Sequence, residues 1–244
     1  MIKQERKKQK KHLRSKRYQD LRKTGSRDDL HQPAEAIALV KKNATAKFPE
    51  TVDLAVRLGV DPRKSDQNVR GICTLPHGTG KSRKVAVLAK GDAAKAAEEA
   101  GADEVGAEEL VEKIAGGYKE FDVLVAAQDM APNLAKIGRV LGPKTPNKKS
   151  GTLTKDVGQT VSEIKSAVRA EYRNDKAGII HMAIGKAEFS DEKLLENLNA
   201  AIGALLRARP STAKGRYLVS VTLSSSMGPG FRVDPQAAAK SAAG

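Results

Sequence analysis

The residues with the clearest chemical meaning form a short glycine-rich loop, LPHGTGKS, over residues 75–82. A phosphate-binding Walker A loop ends in glycine, lysine and serine or threonine, and Gly80, Lys81 and Ser82 match that ending. Its opening glycine should fall at position 75, where the chain has Leu75. The next residues, RKVAVLA, predict a strand, so the helix N-terminus that would bind a phosphate is missing. The spacing disfavours a nucleotide-using enzyme but leaves it as an alternative.

A single cysteine and four histidines are the other residues with catalytic or metal-binding chemistry. Cys73 lies in an apolar run and is predicted to be a buried, unreactive thiol, and its lack of a disulfide partner suits a reducing compartment. The histidines lack the spacing of metal ligands. They are His12, His31, His77 and His181. The sequence therefore predicts no catalytic residue, no metal site and no cofactor.

The charge of the chain points to a polyanion as its partner. The 244 residues include 44 Lys and Arg against 29 Asp and Glu, a net charge of +15. An excess of this size is typical of nucleic-acid binding, although a soluble enzyme that happens to be basic is the alternative. No apolar run reaches the roughly 18 residues that cross a membrane, and no signal peptide is recognisable. We therefore expect a cytoplasmic protein without membrane contact.

Residues 1–32 form a basic N-terminal extension. Residues 1–23 alone contain eleven Lys and Arg against one Glu and one Asp. Such a run repels itself, so it is predicted to be disordered or loosely helical until it meets an anion. Phosphate binding is the favoured role, and a solubilising tail is the alternative.

The remaining elements predict an α/β protein whose middle differs from its ends. Residues 77–167 alternate between strand and helix patterns, as in a small parallel Rossmann-like α/β layer. At the ends, a helix is expected from Pro33, and residues 51–58 alternate as a half-buried strand. Ser190 can cap a long amphipathic helix that Pro210 stops. The ends are therefore predicted to be α+β.

The strand predicted over residues 216–224 has two chemically different faces. The apolar face is Tyr217, Val219, Val221 and Leu223, and the hydroxyl face includes Ser220, Thr222 and Ser224. The strand runs into SSMGPG, where glycine lets a foreign backbone approach and methionine offers a polarisable surface. From these residues alone, a binding surface and an ordinary solvated strand are equally open.

Five segments together resemble the L-one family of bacterial large-subunit ribosomal proteins, the proteins of the mobile side stalk. They are ATAKF (residues 44–48), DPRKSDQNVRG (61–71), LPHGTGK (75–81), DKAGIIH (175–181) and SSSMGP (224–229). The resemblance covers about residues 33–234. It implies an α+β domain I made from both chain ends and an inserted α/β domain II. The bounds are residues 33–76 and 168–234 for domain I and 77–167 for domain II, and residues 235–244 are predicted to be a disordered tail.

The resemblance also implies what the chain does. Domain I would bind large-subunit ribosomal RNA and form the mobile stalk near the tRNA exit site, where it would assist release of deacylated tRNA. The chain would also repress its own messenger RNA and be a monomer off the ribosome. The chain crossings between the domains would act as a hinge, with Gly78 and Gly80 supplying backbone freedom. A non-specific basic RNA chaperone is a further alternative.

The implied RNA site lies on domain I. It consists of Lys47, Phe48, Thr51, Asp175, Lys176, His181, Ser220, Thr222, Ser224, Ser226, Met227 and Gly228. The lysines would contact phosphates, and the hydroxyls would bind 2′-hydroxyls. Phe48 would pack on a sugar or base, while a core position is its alternative. Two departures from the family bear on contacts: the loop over residues 142–151 is about two residues short, and Ser226 stands where threonine is common.

Overall fold

The computed structural model of the chain describes residues 15–23, 29–81 and 83–243. Most of the basic N-terminal extension, whose state we predicted, lies outside these ranges. The helices are α1 (Lys16–Arg22), α2 (Pro33–Asn43), α3 (Asp92–Glu99), α4 (Glu108–Ala115), α5 (Ala131–Leu141), α6 (Val157–Lys165), α7 (Asp191–Arg207) and α8 (Pro235–Ala243). The strands are β1 (Leu30–His31), β2 (Thr51–Leu58), β3 (Arg70–Thr74), β4 (Val85–Leu88), β5 (Glu104–Gly106), β6 (Val123–Ala127), β7 (Leu153–Thr154), β8 (Arg169–Arg173), β9 (Ile179–Lys186), β10 (Leu218–Ser225) and β11 (Gly230–Val233).

The chain ends build a five-stranded sheet in the order β1-β11-β10-β2-β9. Strand β2 lies between β10 and β9, and its alternating apolar residues, Val52 and Leu54 among them, are buried in a core shared with helices α2 and α7. As predicted, Pro33 begins helix α2, and the Ser190 hydroxyl caps helix α7 by accepting from the Lys193 N–H at 3.4 Å. The helices pack on the apolar face and leave the polar face of the sheet open.

The middle of the chain forms a parallel sheet in the order β5-β4-β6-β7. Helices α4 and α5 pack on one face and α3 and α6 on the other, which is why all four residues of strand β4 are buried. The predicted α/β fold class is therefore confirmed. The domain bounds at residues 77 and 167 stay a prediction.

A two-stranded sheet of β3 and β8 carries the chain into and out of this middle part. Cys73 on strand β3 is buried, and burial raises the pKa of its thiol. The prediction of a buried structural thiol is confirmed, because the reactive form of cysteine is the thiolate.

The prediction that Val219 lies on the apolar face of strand β10 is wrong. The register against strand β2 shifts between Leu218 and Ser220, which is the signature of a β-bulge. Leu218 is consequently buried, and Val219 is 38% exposed instead of lying with the apolar residues. The hydroxyls beyond the bulge keep the predicted face, so the correction stops at Ser220.

The tail that we predicted to be disordered is instead helix α8. The Asp234 carboxylate accepts from the Gln236 N–H at 3.0 Å, and Pro235 takes the first helical position, where a proline is tolerated. Alanine has the highest helix propensity, and packing against helix α7 fully buries Ala238. Composition alone predicted disorder because the helix that stabilises the tail, α7, is not adjacent to it in the sequence and cannot be recognised from the tail's own residues.

Candidate nucleic-acid interface

Two exposed apolar side chains stand together at one end of the five-stranded sheet. Phe48, just before strand β2, is 50% exposed, and Met227, just after strand β10, is 53% exposed. The two strands are antiparallel, with Val52 opposite Ser225, so the segments that carry Phe48 and Met227 meet. The alternative that Phe48 is a core residue is therefore wrong. A half-exposed aromatic ring and an exposed thioether are thus offered at the same end of the sheet, and each is a surface on which a base or sugar can pack.

A buried carboxylate holds these two segments against each other. Glu50 is only 2% exposed, and its two oxygens accept from the Ala46 N–H at 2.8 Å and the Met227 N–H at 2.9 Å. Burial acts to raise the pKa of the Glu50 carboxyl, but the backbone hydrogen bonds from Ala46 and Met227 outweigh it and leave that pKa lowered. Sequence reasoning missed Glu50; its one local signal is a lone acid at the start of the apolar alternation.

Ser226 and Thr51, both predicted RNA ligands, bond to each other in the structure. The Ser226 hydroxyl accepts from the Thr51 N–H at 3.0 Å and donates to the Thr51 carbonyl at 3.4 Å. Thr51 is buried, and its own hydroxyl accepts from the Lys186 ammonium at 3.4 Å. A hydroxyl has two acceptor lone pairs, so Ser226 keeps one for a ligand. These two residues join the segments, and their contact with RNA stays a prediction.

The open face of the sheet carries the predicted hydroxyls in register with small and charged residues. Thr222 stands opposite Ala55, which stands opposite His181 on the next strand. Neighbouring rows place Ser224 opposite Asp53 and Ser220 opposite Arg57. The small Ala55 side chain in the middle row leaves room for a sugar–phosphate backbone to approach the Thr222 hydroxyl. Arg57 adds a cation that sequence reasoning did not single out.

The charges that act on the Asp53 carboxyl indicate that Lys81 of the glycine-rich loop lies near the open face of the sheet. Burial raises the pKa of the Asp53 carboxyl, while the charges of Lys81, His181 and Lys186 act to lower it. Lys81, the lysine of the Walker-like motif, is thus exposed near the open sheet face. No phosphate cradle is built around it, since the chain continues into strand β4, as the sequence predicted.

A group of cationic residues lies at the end of strand β2 opposite to Phe48, roughly 25 Å from Phe48 at the usual rise per residue. The Asp175 carboxylate accepts from the Ala177 and Ile179 N–H groups, both at 2.8 Å, and these bonds lower the pKa of that carboxyl. This turn exposes Lys176. The adjoining open cleft measures about 460 Å³ and is lined by Pro62, Arg63, Asn68, Arg173, Asn174, Asp175 and Lys176. Its arginines were not predicted, because they come from two separate segments.

The twelve predicted site residues therefore fall into three groups along one sheet. Lys47, Phe48, Thr51, Ser226, Met227 and Gly228 gather at one end, Asp175 and Lys176 at the other, and Ser220, Thr222, Ser224 and His181 lie on the open face between them. Within the described ranges, no group of three or more His, Cys, Asp or Glu could hold a metal ion. Among the helices of those ranges, none is long and apolar enough to cross a membrane.

The fold and this one-sided sheet agree with a family of ribosomal proteins. Residues 40–229 match the Ribosomal protein L1p/L10e family, and the chain belongs to that family. The resemblance stated from the sequence motifs is therefore confirmed.

A curated relative also shows that the chain belongs to this family. The chain is 52% identical over 227 residues to the large ribosomal subunit protein uL1 of Cutibacterium acnes (strain DSM 16379 / KPA171202). The alignment covers 92% of this chain and 97% of the relative.

Proposed function

We propose that this chain is a structural component of the large ribosomal subunit that binds ribosomal RNA with its five-stranded sheet. The observation that carries the proposal is the pairing of exposed Phe48 and Met227 through the buried Glu50 carboxylate. Two exposed apolar side chains on segments joined by a buried carboxylate offer an apolar surface that a binding partner can cover. Membership in a ribosomal protein family supports a structural role, exercised in the cytoplasm with the ribosome.

Different parts of the sheet would make different kinds of contact with RNA. Phe48 and Met227 would pack on an unstacked base or sugar, where apolar area is removed from water. Lys47 and Lys176, at opposite ends, would neutralise phosphates and give an affinity that falls as salt rises. The hydroxyls of Ser220 and Thr222 would bind 2′-hydroxyls, which distinguish RNA from DNA.

The first prediction tests the apolar pair. The double variant Phe48→Ala, Met227→Asp should lose specific binding to a large-subunit ribosomal RNA fragment, because it removes the packing surface and adds a charge that repels phosphate. Both side chains are half exposed, so the fold should survive, which circular dichroism checks. Leu30→Asp is the matched control, since Leu30 is exposed at the far edge of the sheet. Undiminished RNA binding by the double variant would overturn the site.

Two alternatives predict different binding data. A nucleotide-using enzyme requires saturable binding of ATP with Mg²⁺ that Lys81→Ala abolishes. A non-specific RNA chaperone requires equal affinity for RNA and DNA of any sequence. The structure supports neither, since a strand follows the glycine-rich loop and the exposed apolar pair is localised.

The finer roles rest on the family resemblance. They are formation of the mobile stalk, contact with exit-site tRNA, release of deacylated tRNA, repression of the chain's own messenger RNA, and a monomeric state off the ribosome. The repressor role requires the messenger leader to compete with ribosomal RNA for the Phe48–Met227 site. Simultaneous binding of both RNAs in a competition assay would contradict it.

A further inference from the structure

Part of the basic N-terminal extension is attached to the segment that carries Lys47 and Phe48. The Arg17 guanidinium on helix α1 donates to the Thr45 hydroxyl twice, from Nε at 3.0 Å and from Nη2 at 2.9 Å. Two donors on one planar group hold the orientation of both partners, which a lysine cannot do. Thr45 lies two residues before Lys47, so helix α1 stands beside the proposed RNA site.

Arg17 also acts on the carboxylate at the centre of that site. Burial acts to raise the Glu50 pKa, the backbone hydrogen bonds from Ala46 and Met227 lower it, and the Arg17 charge is a smaller cause that also lowers it. Arg17 therefore lies near the point where the two segments of the site meet. This agrees with the Thr45 hydrogen bonds, which carry the placement of helix α1.

The position matters because of the charge that Arg17 brings with it. Residues 1–23 carry eleven Lys and Arg against two acids, and Lys16 on helix α1 is exposed. Charge tethered next to a bound RNA acts at a high effective concentration, so each phosphate contact adds to affinity without a separate binding event. A tail that only aids solubility would have no need of a directed contact to Thr45.

We propose that helix α1 belongs to the RNA interface, with Arg17 as the positioning residue and the exposed Lys16 as a phosphate contact for the same RNA. This inference rests on the proposed function. The helix adds cationic surface beside the segment that carries Lys47. Its ligand is the phosphate backbone, so its contribution is electrostatic and independent of base sequence.

The test distinguishes the effect of the Arg17–Thr45 hydrogen bonds from the effect of the Arg17 charge. Thr45→Val removes the acceptor of both Arg17 bonds and changes no charge, whereas Arg17→Ala removes the donors and one charge. With the full-length chain and a large-subunit ribosomal RNA fragment, dissociation constants are measured over a range of salt concentrations. Thr45→Val should reduce the slope of log affinity against log salt by about one or more, the loss expected for one phosphate contact or more.

Three control variants accompany this test. Arg139→Ala removes an exposed charge from helix α5 and should leave the slope unchanged. Arg17→Lys keeps the charge but has one ammonium in place of the two donors, and should behave like Thr45→Val. The double variant Arg17→Ala, Thr45→Val should match Arg17→Ala alone, since both changes break one contact. A wild-type slope for Thr45→Val would overturn the role of helix α1 in RNA binding, even where Phe48→Ala, Met227→Asp still abolishes binding. The proposed function fails only if that double variant binds normally.

Discussion

At the scale of single residues, Glu50 is the group on which the shape of the interface depends. Its carboxylate joins two backbone N–H groups that are far apart in the chain, since Met227 is 177 residues from Glu50. Hydrogen bonds to a buried charged acceptor are stronger than neutral ones, and an unsatisfied buried group is costly. Glu50 therefore positions Phe48 and Met227 without contacting a ligand.

Replacement of Glu50 gives a prediction about stability and pH. Glu50→Gln should lower the free energy of unfolding at pH 7 by about 2 kcal/mol, because one backbone N–H then faces an amide instead of a carboxylate. The folded-state pKa is lowered from the ordinary value of 4.5, so this stabilisation is complete above that pH and is lost as pH falls through the folded pKa. Urea denaturation should show the gap to wild type closing in acid.

The matched control for this prediction is Glu188→Gln. Glu188 is exposed and, with Phe48 and Glu50, lines an open cleft of about 450 Å³, so its replacement should change the free energy of unfolding by less than about 0.5 kcal/mol. A gap between Glu50→Gln and wild type that stays constant from pH 7 to a pH below the folded-state pKa of Glu50 would show that the carboxylate charge is not the cause.

At the scale of elements, helix α7 is the part that connects the sheet to the chain crossing. Asn197 on this helix is fully buried and accepts from the His77 N–H at 3.0 Å. Its amide donates to the carbonyls of Gly78 and Ile184 at 3.0 and 2.7 Å. One side chain thus ties the crossing segment to a helix and to strand β9.

Removal of this amide should destabilise the chain. Asn197→Leu has similar size but leaves one N–H and two carbonyls without their partner, so we expect a loss of about 3 kcal/mol in the free energy of unfolding. Asn199→Leu is the control on the same helix, where the Asn199 side-chain oxygen is buried without a hydrogen-bond partner in the described structure. Equal losses for both variants in chemical denaturation would contradict the role assigned to Asn197.

At the scale of the whole molecule, the two crossings between the sheets lie against each other. The Leu75 N–H donates to the Val168 carbonyl at 2.7 Å, and the Thr79 N–H donates to the Ala167 carbonyl at 3.0 Å. Ala167 has φ 55°, a left-handed conformation that costs a non-glycine residue about 1–2 kcal/mol. Gly78 has φ 64°, and a Cβ there would lie 2.8 Å from a backbone oxygen of the other crossing. We propose that this paired, strained junction is the hinge.

The hinge proposal predicts opposite effects at the two crossings. Gly80→Ala should narrow the distribution of distances between the five-stranded sheet and the parallel sheet, because alanine restricts this left-handed position and its Cβ would meet only side-chain atoms of Lys186 and Phe189. Ala167→Gly should widen it by adding backbone freedom. Single-molecule energy transfer between labels at positions 113 and 240 measures both, and buried Cys73 should resist labelling. Identical distributions for all three chains would count against the hinge.

Local patterns in the sequence predicted most elements because their causes are local. Alternation over residues 51–58, the Pro33 start and the Ser190 cap each depend on residues within one or two turns of chain. The bulge at Val219 and helix α8 escaped prediction for the opposite reason. Each depends on packing against a distant element, strand β2 for the bulge and helix α7 for α8.

The amino-acid sequence alone correctly predicted the fold class, the family and the strand that follows the glycine-rich loop, and it predicts the residue types of the proposed RNA site. These follow from periodicity, charge and motif order, which need no knowledge of long-range contacts. Only the tertiary structure decided that Glu50 joins the two segments, that Ser226 bonds to Thr51 and that Arg17 reaches Thr45. The physical reason is that a hydrogen bond depends on atoms within about 3 Å, and only the folded chain determines which distant residues come that close.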